Sequence, residues 1–294
     1  MTPKAWTIKS LLRVSTDYLK KKQIDSPRLT AEVILAHQLS SDRVTLYLNL
    51  DQPLTGEEVS GYRTLIRRRL GREPLQYITG IQEFWSLDFA VDPRALIPRP
   101  ETELLVEHAL RLLRPAAESE NQEPKILDIG TGCGTLAVSL AKEVRNAQVW
   151  ATDNSKGALE LARLNAQRHG VSDRIKFKEG DLWEPIVDLG ITFDIIVSNP
   201  PYVASEAYKD LPPEVRDYEP RSALDGREGG MYYIKRILAK AQDYMKPNAW
   251  VIIEMAPDQT GKAIRLVEQI EDYGEKARIR DYSRLYRIVM AQRT

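Results

Sequence analysis

Asn199-Pro200-Pro201-Tyr202 carries the densest chemistry in this chain. It follows the strand-like run Phe193-Asp194-Ile195-Ile196-Val197-Ser198. That puts it just past a strand's carboxyl end, where an open parallel sheet forms its ligand crevice. The Asn199 side chain offers an amide oxygen, and the Pro200 carbonyl lies next to proline and faces no competing backbone N–H. Pro201 stiffens the turn, and Tyr202 adds a flat aromatic face against which a planar group packs. Two acceptors and a ring make a clamp for a planar NH2 group. The bland alternative is a Pro-Pro turn leaving a buried strand.

A second constellation lies upstream. Asp128-Ile-Gly-Thr-Gly-Cys-Gly-Thr135 joins a strand to a helix. Gly130, Gly132 and Gly134, with Thr131 and Cys133 between them, permit tight turning and let a ligand lie against bare backbone. The spacing is not the dinucleotide G-x-G-x-x-G, and no Gly-Lys-Ser/Thr follows to cradle phosphates. A nucleoside without phosphates fits better. Asp153 ends the next strand, 23 residues after Gly130, where a carboxylate can accept both ribose hydroxyls. Asp181, after a third strand, can accept from an adenine amino group, and either Trp183 or Leu182 can cover the ring. Each acid alone is more often a surface group or a helix cap. Three such features at successive strand ends point to one ligand. His37, His108 and His169 fall in helical segments and read as surface or satisfied histidines, and Cys133 as a small packing residue. No metal site is expected.

Positioning these groups takes a sheet. From residue 125 strands alternate with helices: strands at Lys125–Ile129, Gln148–Thr152, Arg174–Phe177, Phe193–Val197 and Trp250–Glu254, and helices at Leu136–Val144, Ala158–His169, Met231–Met245 and Thr260–Ile270. The last two strands, Ala277–Asp281 and Leu285–Ala291, are joined too tightly to run parallel. The α/β pattern predicts a doubly wound, mostly parallel sheet ending in an antiparallel hairpin. Before it, residues 1–73 read as a small all-helical domain. Trp6, Leu11, Leu12, Tyr18 and Leu19 are spaced for one apolar face; Ser26-Pro27 opens a second helix with a capping residue, and Leu29, Val33, Ile34 and Leu39 follow. Thr55-Gly-Glu-Glu opens another. Arg67-Arg68-Arg69 near its end suits the helix dipole as a solvated cap, or serves as a docking patch. Residues 74–100 form a linker with a short hairpin, residues 101–294 the sheet domain, and Glu118–Pro124 a polar loop within it.

Charge is balanced, 42 basic against 42 acidic residues with a pI near 6.9, so the broad positive field of a nucleic-acid-binding protein is absent. One cysteine leaves no internal disulfide framework and fits a reducing compartment. The N-terminus lacks a signal peptide's apolar core, and no apolar run reaches the ~18 residues of a membrane span. A cytoplasmic protein with neither membrane nor stable nucleic-acid binding is expected.

Together these residues resemble a class I S-adenosylmethionine-dependent methyltransferase. The likeness narrows further. Arg99-Pro-Glu-Thr-Glu103, the glycine loop, Ser198–Tyr202 and Tyr218-Glu-Pro-Arg-Ser-Ala-Leu224 are similar in order and spacing to the release factor glutamine methyltransferases, the HemK/PrmC family, over nearly the whole chain. The resemblance implies S-adenosylmethionine as methyl donor. It implies as acceptor the glutamine of the Gly-Gly-Gln motif in class 1 peptide chain release factors, methylated on its side-chain nitrogen. The helical domain would recognise that partner, with Arg99 and Glu101 adding to the substrate contacts of the tetrapeptide. One departure is Ala256, where glycine is expected. Three rivals share parts of the pattern. A nucleic-acid adenine methyltransferase would meet the same planar NH2 but must flip its base and normally carries a basic reading domain. A methyltransferase acting on a ribosomal-protein glutamine is closer in chemistry. A non-catalytic adaptor would need neither the acids nor the amide clamp.

Overall fold

The structure, a computed structural model, describes residues 6–117 and 122–294. The first five residues and positions 118–121 of the expected polar loop lie outside the described residues. The chain divides into two compact units, Met1–Gly80 with Pro213–Tyr218, and Ile81–Pro212 with Glu219–Thr294.

In the first unit α1 (Ile8–Lys21), α2 (Pro27–Gln38), α3 (Arg43–Leu48), α4 (Gly56–Leu70) and α5 (Leu75–Thr79) surround a core of Leu11, Leu12, Leu19, Ile34, Leu35, Tyr62 and Ile66. Tyr18 and Leu29, expected on the buried faces, are exposed. Thr55 and Glu58 form a reciprocal cap, each side chain accepting the other's backbone N–H at 3.2 and 2.7 Å. Ser26 precedes α2 as expected but makes no side-chain cap; its backbone is left-handed, φ 45°. α3 and α5 were not expected, because six and five residues are too few to show a helical period. The Arg67–Arg69 run divides. Arg67 is exposed, Arg68 pairs with Glu73 at 2.6 Å, and Arg69 is buried, bonded to Glu214 at 3.1 Å, which Arg72 also reaches at 3.2 Å. Arg69 is therefore no solvated cap. The Tyr218 hydroxyl donates to the Gly71 carbonyl at 2.5 Å, so both ends of Pro213–Tyr218 are tied to the helices.

The second unit opens with the expected hairpin, β1 (Ile81–Phe84) and β2 (Leu87–Ala90), whose Phe84 and Phe89 are buried in this unit's core. Then come α6 (Glu103–Ala117), β3 (Lys125–Ile129), α7 (Thr135–Glu143), β4 (Gln148–Asp153), α8 (Lys156–Arg168), β5 (Ile175–Glu179) and β6 (Phe193–Ser198). After α9 (Pro213–Arg216), which packs with the helical unit, the chain continues through α10 (Tyr232–Leu238), β7 (Met245–Glu254), α11 (Pro257–Val267), β8 (Tyr273–Arg280) and β9 (Tyr286–Arg293). The seven-stranded sheet has the order β5-β4-β3-β6-β7-β9-β8, with only β9 antiparallel to its neighbours β7 and β8. Alternate strand residues face opposite layers. Ile126, Val149, Ile195 and Ile252 pack with α6 and α7, and Leu127, Trp150, Ile196 and Val251 with α10 and α11.

The helix expected over 231–245 is shorter. It stops at Leu238, a 3-10 turn follows at Ala241–Tyr244, and β7 begins at Met245, five residues before the expected Trp250. Pro247 and Asn248 sit within β7 where its register against β6 shifts, with Asn248 at φ 64°, a conformation asparagine tolerates.

Candidate active site

The strand order reverses between β3 and β6, since β4 and β5 extend the sheet on one side and β7 on the other. Loops leaving the carboxyl ends of these two strands diverge and leave a crevice. Register aligns the ends: Ile129 pairs with Ser198 and with Thr152, Asp153 with Glu179, and Ser198 with Ile253. Gly130, Asn199, Asp153, Gly180–Asp181 and Glu254 therefore leave the sheet along one edge.

An open, concave cavity lies there, the kind of place in which small molecules bind. Gly130, Thr131, Gly132, Cys133, Asp153, Asp181, Leu182, Asn199, Pro200 and Pro201 line it. Gly134, Trp183, Tyr202, Arg99 and Glu101 do not.

The glycine loop is held from beneath. Gly130 and Thr131 donate their N–H groups to the Thr152 carbonyl at 2.8 and 2.9 Å. Buried Asp128 accepts the Thr131 hydroxyl at 2.6 Å and the Ala137 N–H at 3.2 Å; burial pushes its carboxyl up to about 7. Asp153 accepts the N–H of Gly132 at 2.9 Å on one oxygen and that of Ser155 at 2.8 Å on the other. Desolvation raises its pKa against those bonds. Each oxygen keeps a lone pair, so the carboxylate both shapes the loop and faces the cavity. Asp181 accepts Arg236 Nη1 at 2.7 Å on Oδ2. Cys133 is buried and its thiol is pushed up to about 12, so it is no thiolate.

Of the two residues offered to cover an adenine ring, Leu182 lines the cavity. Trp183 points into the core, stacked on Tyr244 at 4.8 Å with its indole N–H on the Arg236 carbonyl at 3.1 Å. Arg99 pairs with buried Glu219, whose other oxygen accepts the Ile97 N–H at 3.0 Å; the pair ties together the segments contributing Pro98 and Pro220 to the lining. Glu101 is exposed. None of the three histidines lines the cavity.

Asn199 Nδ2 donates to Thr102 Oγ1 at 3.0 Å, and Tyr202 donates its hydroxyl to Glu254 Oε1 at 3.1 Å. Glu254 is buried at the end of β7, and desolvation, with Glu101 adding repulsion, pushes its carboxyl up to about 7 against the opposing effects of Thr102, Tyr202 and Arg287.

Residues 10–80 match the PrmC N-terminal domain family, and residues 102–211 the methyltransferase small domain family. The chain is 46% identical over 257 residues to the release factor glutamine methyltransferase of Geobacter sulfurreducens, covering 87% of each chain. It is 40% identical over 286 residues to that of Chlorobaculum tepidum, covering 97% of this chain and 96% of that one. The chain belongs to the release factor glutamine methyltransferase family. A solved Thermus thermophilus 16S rRNA N2 G1207 methyltransferase, in complex with AdoMet and guanosine, shares the fold with TM-score 0.50 and 16% identity, over 73% of this chain and 50% of that one.

Three parts of this methyltransferase's site escaped sequence reasoning. Thr102 lines the cavity from within the Arg-Pro-Glu-Thr-Glu element, where the charged neighbours drew attention instead. Glu254 looked like the end of a hydrophobic strand. Gln259 donates to the Tyr202 carbonyl at 2.8 Å and accepts the Ala256 N–H at 3.0 Å, capping α11. Ala256 itself has φ −66°, so the turn after β7 does not require glycine.

Proposed function

We propose that this chain transfers a methyl group from S-adenosylmethionine to the side-chain amide nitrogen, N5, of the glutamine in the Gly-Gly-Gln motif of class 1 peptide chain release factors. The observation that carries this reading is the shared cavity: the glycine loop and Asp153 line it together with Asn199 and Pro200. Family membership supports the choice of acceptor.

The residues present fit the methyl donor. A Cβ built on Gly130 or Gly132 meets open space, so bare backbone is exposed to the cavity, and Asp153 has acceptor capacity for two ribose hydroxyls. Asp181 Oδ1 suits an adenine amino group and Leu182 the ring. When bound, S-adenosylmethionine supplies a methyl group on a positively charged sulfur.

An amide nitrogen is a poor nucleophile because its lone pair is delocalised into the carbonyl, so positioning must supply most of the acceleration. Asn199 Oδ1 and the Pro200 carbonyl accept the two N–H groups of the glutamine amide and aim its nitrogen at the methyl. The same acceptors favour the positive charge that develops on nitrogen. Tyr202, outside the lining, holds the tetrapeptide in place through Glu254. No dedicated base is needed if the proton leaves after transfer.

The helical unit offers a second surface for the protein substrate, and on α3 Val44 and Leu48 are 68% and 79% exposed. This reading places the enzyme in the cytoplasm with the translation machinery.

Incubation with labelled cofactor and an intact release factor tests the proposal. Mass spectrometry should place one methyl on the glutamine side-chain nitrogen, and Gln→Ala in the acceptor should abolish it. Methylation of adenine N6 in duplex DNA, with no transfer to release factors, would overturn the reading.

A further inference from the structure

The amide clamp works only if Asn199 presents oxygen, not NH2, to the cavity. An asparagine amide is nearly symmetric in shape, so its neighbours must choose the orientation. Thr102 Oγ1, which receives Asn199 Nδ2 at 3.0 Å, is a poor discriminator by itself, because a hydroxyl both donates and accepts. What fixes the hydroxyl decides the amide.

Buried Glu254 is the candidate. β6 and β7 are parallel with Ser198 opposite Ile253, so Glu254 leaves the sheet beside Asn199, one strand over. Its Oε1 accepts the Tyr202 hydroxyl at 3.1 Å. Its Oε2 is buried with no hydrogen-bond partner among the described residues, and Thr102 acts on this carboxyl against the burial that raises it to about 7. Above about pH 7, where Glu254 is ionised, its carboxylate only accepts. Beside it, the Thr102 proton turns toward Glu254, leaving Oγ1 a lone pair that only the Asn199 NH2 can satisfy. Asn199 Oδ1 then has the cavity as its remaining direction.

We propose that Thr102 and Glu254 are positioning residues that fix the Asn199 amide with its oxygen toward the substrate, while Glu254 also anchors the Tyr202 hydroxyl. This rests on the amide-clamp reading above and extends it: one buried carboxylate orders both polar side chains of the tetrapeptide. Neither residue was identified from the motif's own spacing, because the three come from the segment before α6, the end of β6 and the end of β7.

The test is a split between turnover and cofactor binding. Thr102→Val keeps the shape and removes the hydroxyl. It should lower kcat roughly 10- to 100-fold, the size of a hydrogen bond to a charged group, with the dissociation constant for S-adenosylmethionine within about twofold of wild type. Thr102→Ser should recover most of the loss. Glu254→Gln replaces one acceptor oxygen with an NH2 and leaves one of the two hydroxyls without an acceptor, so above about pH 7 it should lower kcat in the same way. Wild-type kcat in Thr102→Val, no recovery in Thr102→Ser, or loss of cofactor binding in parallel with kcat would each overturn the proposal. Asn199→Ala serves as the control: if it retains full kcat, the clamp reading itself fails; if it alone collapses, only the positioning role does.

Discussion

In the proposed reading Asp153 serves cofactor binding and Asn199 the chemistry. Asp153 holds two backbone N–H groups while facing the cavity, so Asp153→Ala should weaken S-adenosylmethionine binding by about 10- to 100-fold. An unchanged dissociation constant by calorimetry would remove it from the cofactor site. Asn199→Ala should suppress kcat far more than substrate affinity, because its contribution is orientation and charge in the transition state; steady-state kinetics on an intact release factor reads the difference. Glu254 adds a pH signature. Its carboxyl is raised from 4.5 to about 7 by burial, with Glu101 adding repulsion and Thr102, Tyr202 and Arg287 opposing. Between those values the folded state binds more protons than the unfolded one, so this group's contribution becomes less favourable as pH rises through the window. Asp128, also raised to about 7, acts in the same direction. Glu254→Gln should therefore gain stability relative to wild type between about pH 5 and pH 8, by roughly 1–3 kcal/mol. Urea midpoints giving a difference independent of pH would contradict the assignment.

At the scale of elements, the tetrapeptide is held by backbone as much as by side chains. Gly226 and Gly230 lie against it: a Cβ on Gly230 would sit 2.1 Å from the Tyr202 carbonyl oxygen and 2.3 Å from Gln259 Nε2, and one on Gly226 would sit 2.6 Å from the Pro201 oxygen. Gly230 also has φ 68°. The segment between β6 and α10 thus packs glycine backbone directly on the Asn199–Tyr202 turn, and Gln259, from the first turn of α11, bridges Tyr202 and Gly229. Gly230→Ala should cost both stability, by roughly 1–3 kcal/mol for overpacking with added strain, and turnover. Gly229→Ala has comparable φ, 60°, but open space around its Cβ, so it should cost less of each. Urea midpoints and kcat for the two variants test the order, and equal effects would mean that backbone strain rather than close packing dominates.

The whole molecule joins a sheet unit with two cores of its own to a helical unit with a third. A chain beginning at Ile81 should still bind S-adenosylmethionine yet methylate an intact release factor poorly, because every cavity-lining residue belongs to the sheet unit. Equal activity of truncated and full-length chains on the release factor would remove recognition from the helical unit. The sequence by itself determined the alternation of strands and helices, the antiparallel final hairpin and the capped start of α4, because periodicity, tight connections and capping pairs are local signals. It also marked the glycine loop, Asp153 and Asn199, since each sits at a strand end that local pattern reveals. Only the tertiary structure decided what depends on distant partners. Strand order brought β3 and β6 side by side, so two loops about seventy residues apart line one cavity. Packing sent Trp183 into the core and left Leu182 lining the cavity, a choice that two adjacent apolar residues cannot disclose. Glu214 buried Arg69 from 145 residues away, where the local pattern suggested solvent. Thr102 and Glu254 reach Asn199 and Tyr202 across separations of 97 and 52 residues. A hydroxyl or carboxylate acquires such a role only from the neighbours that folding supplies.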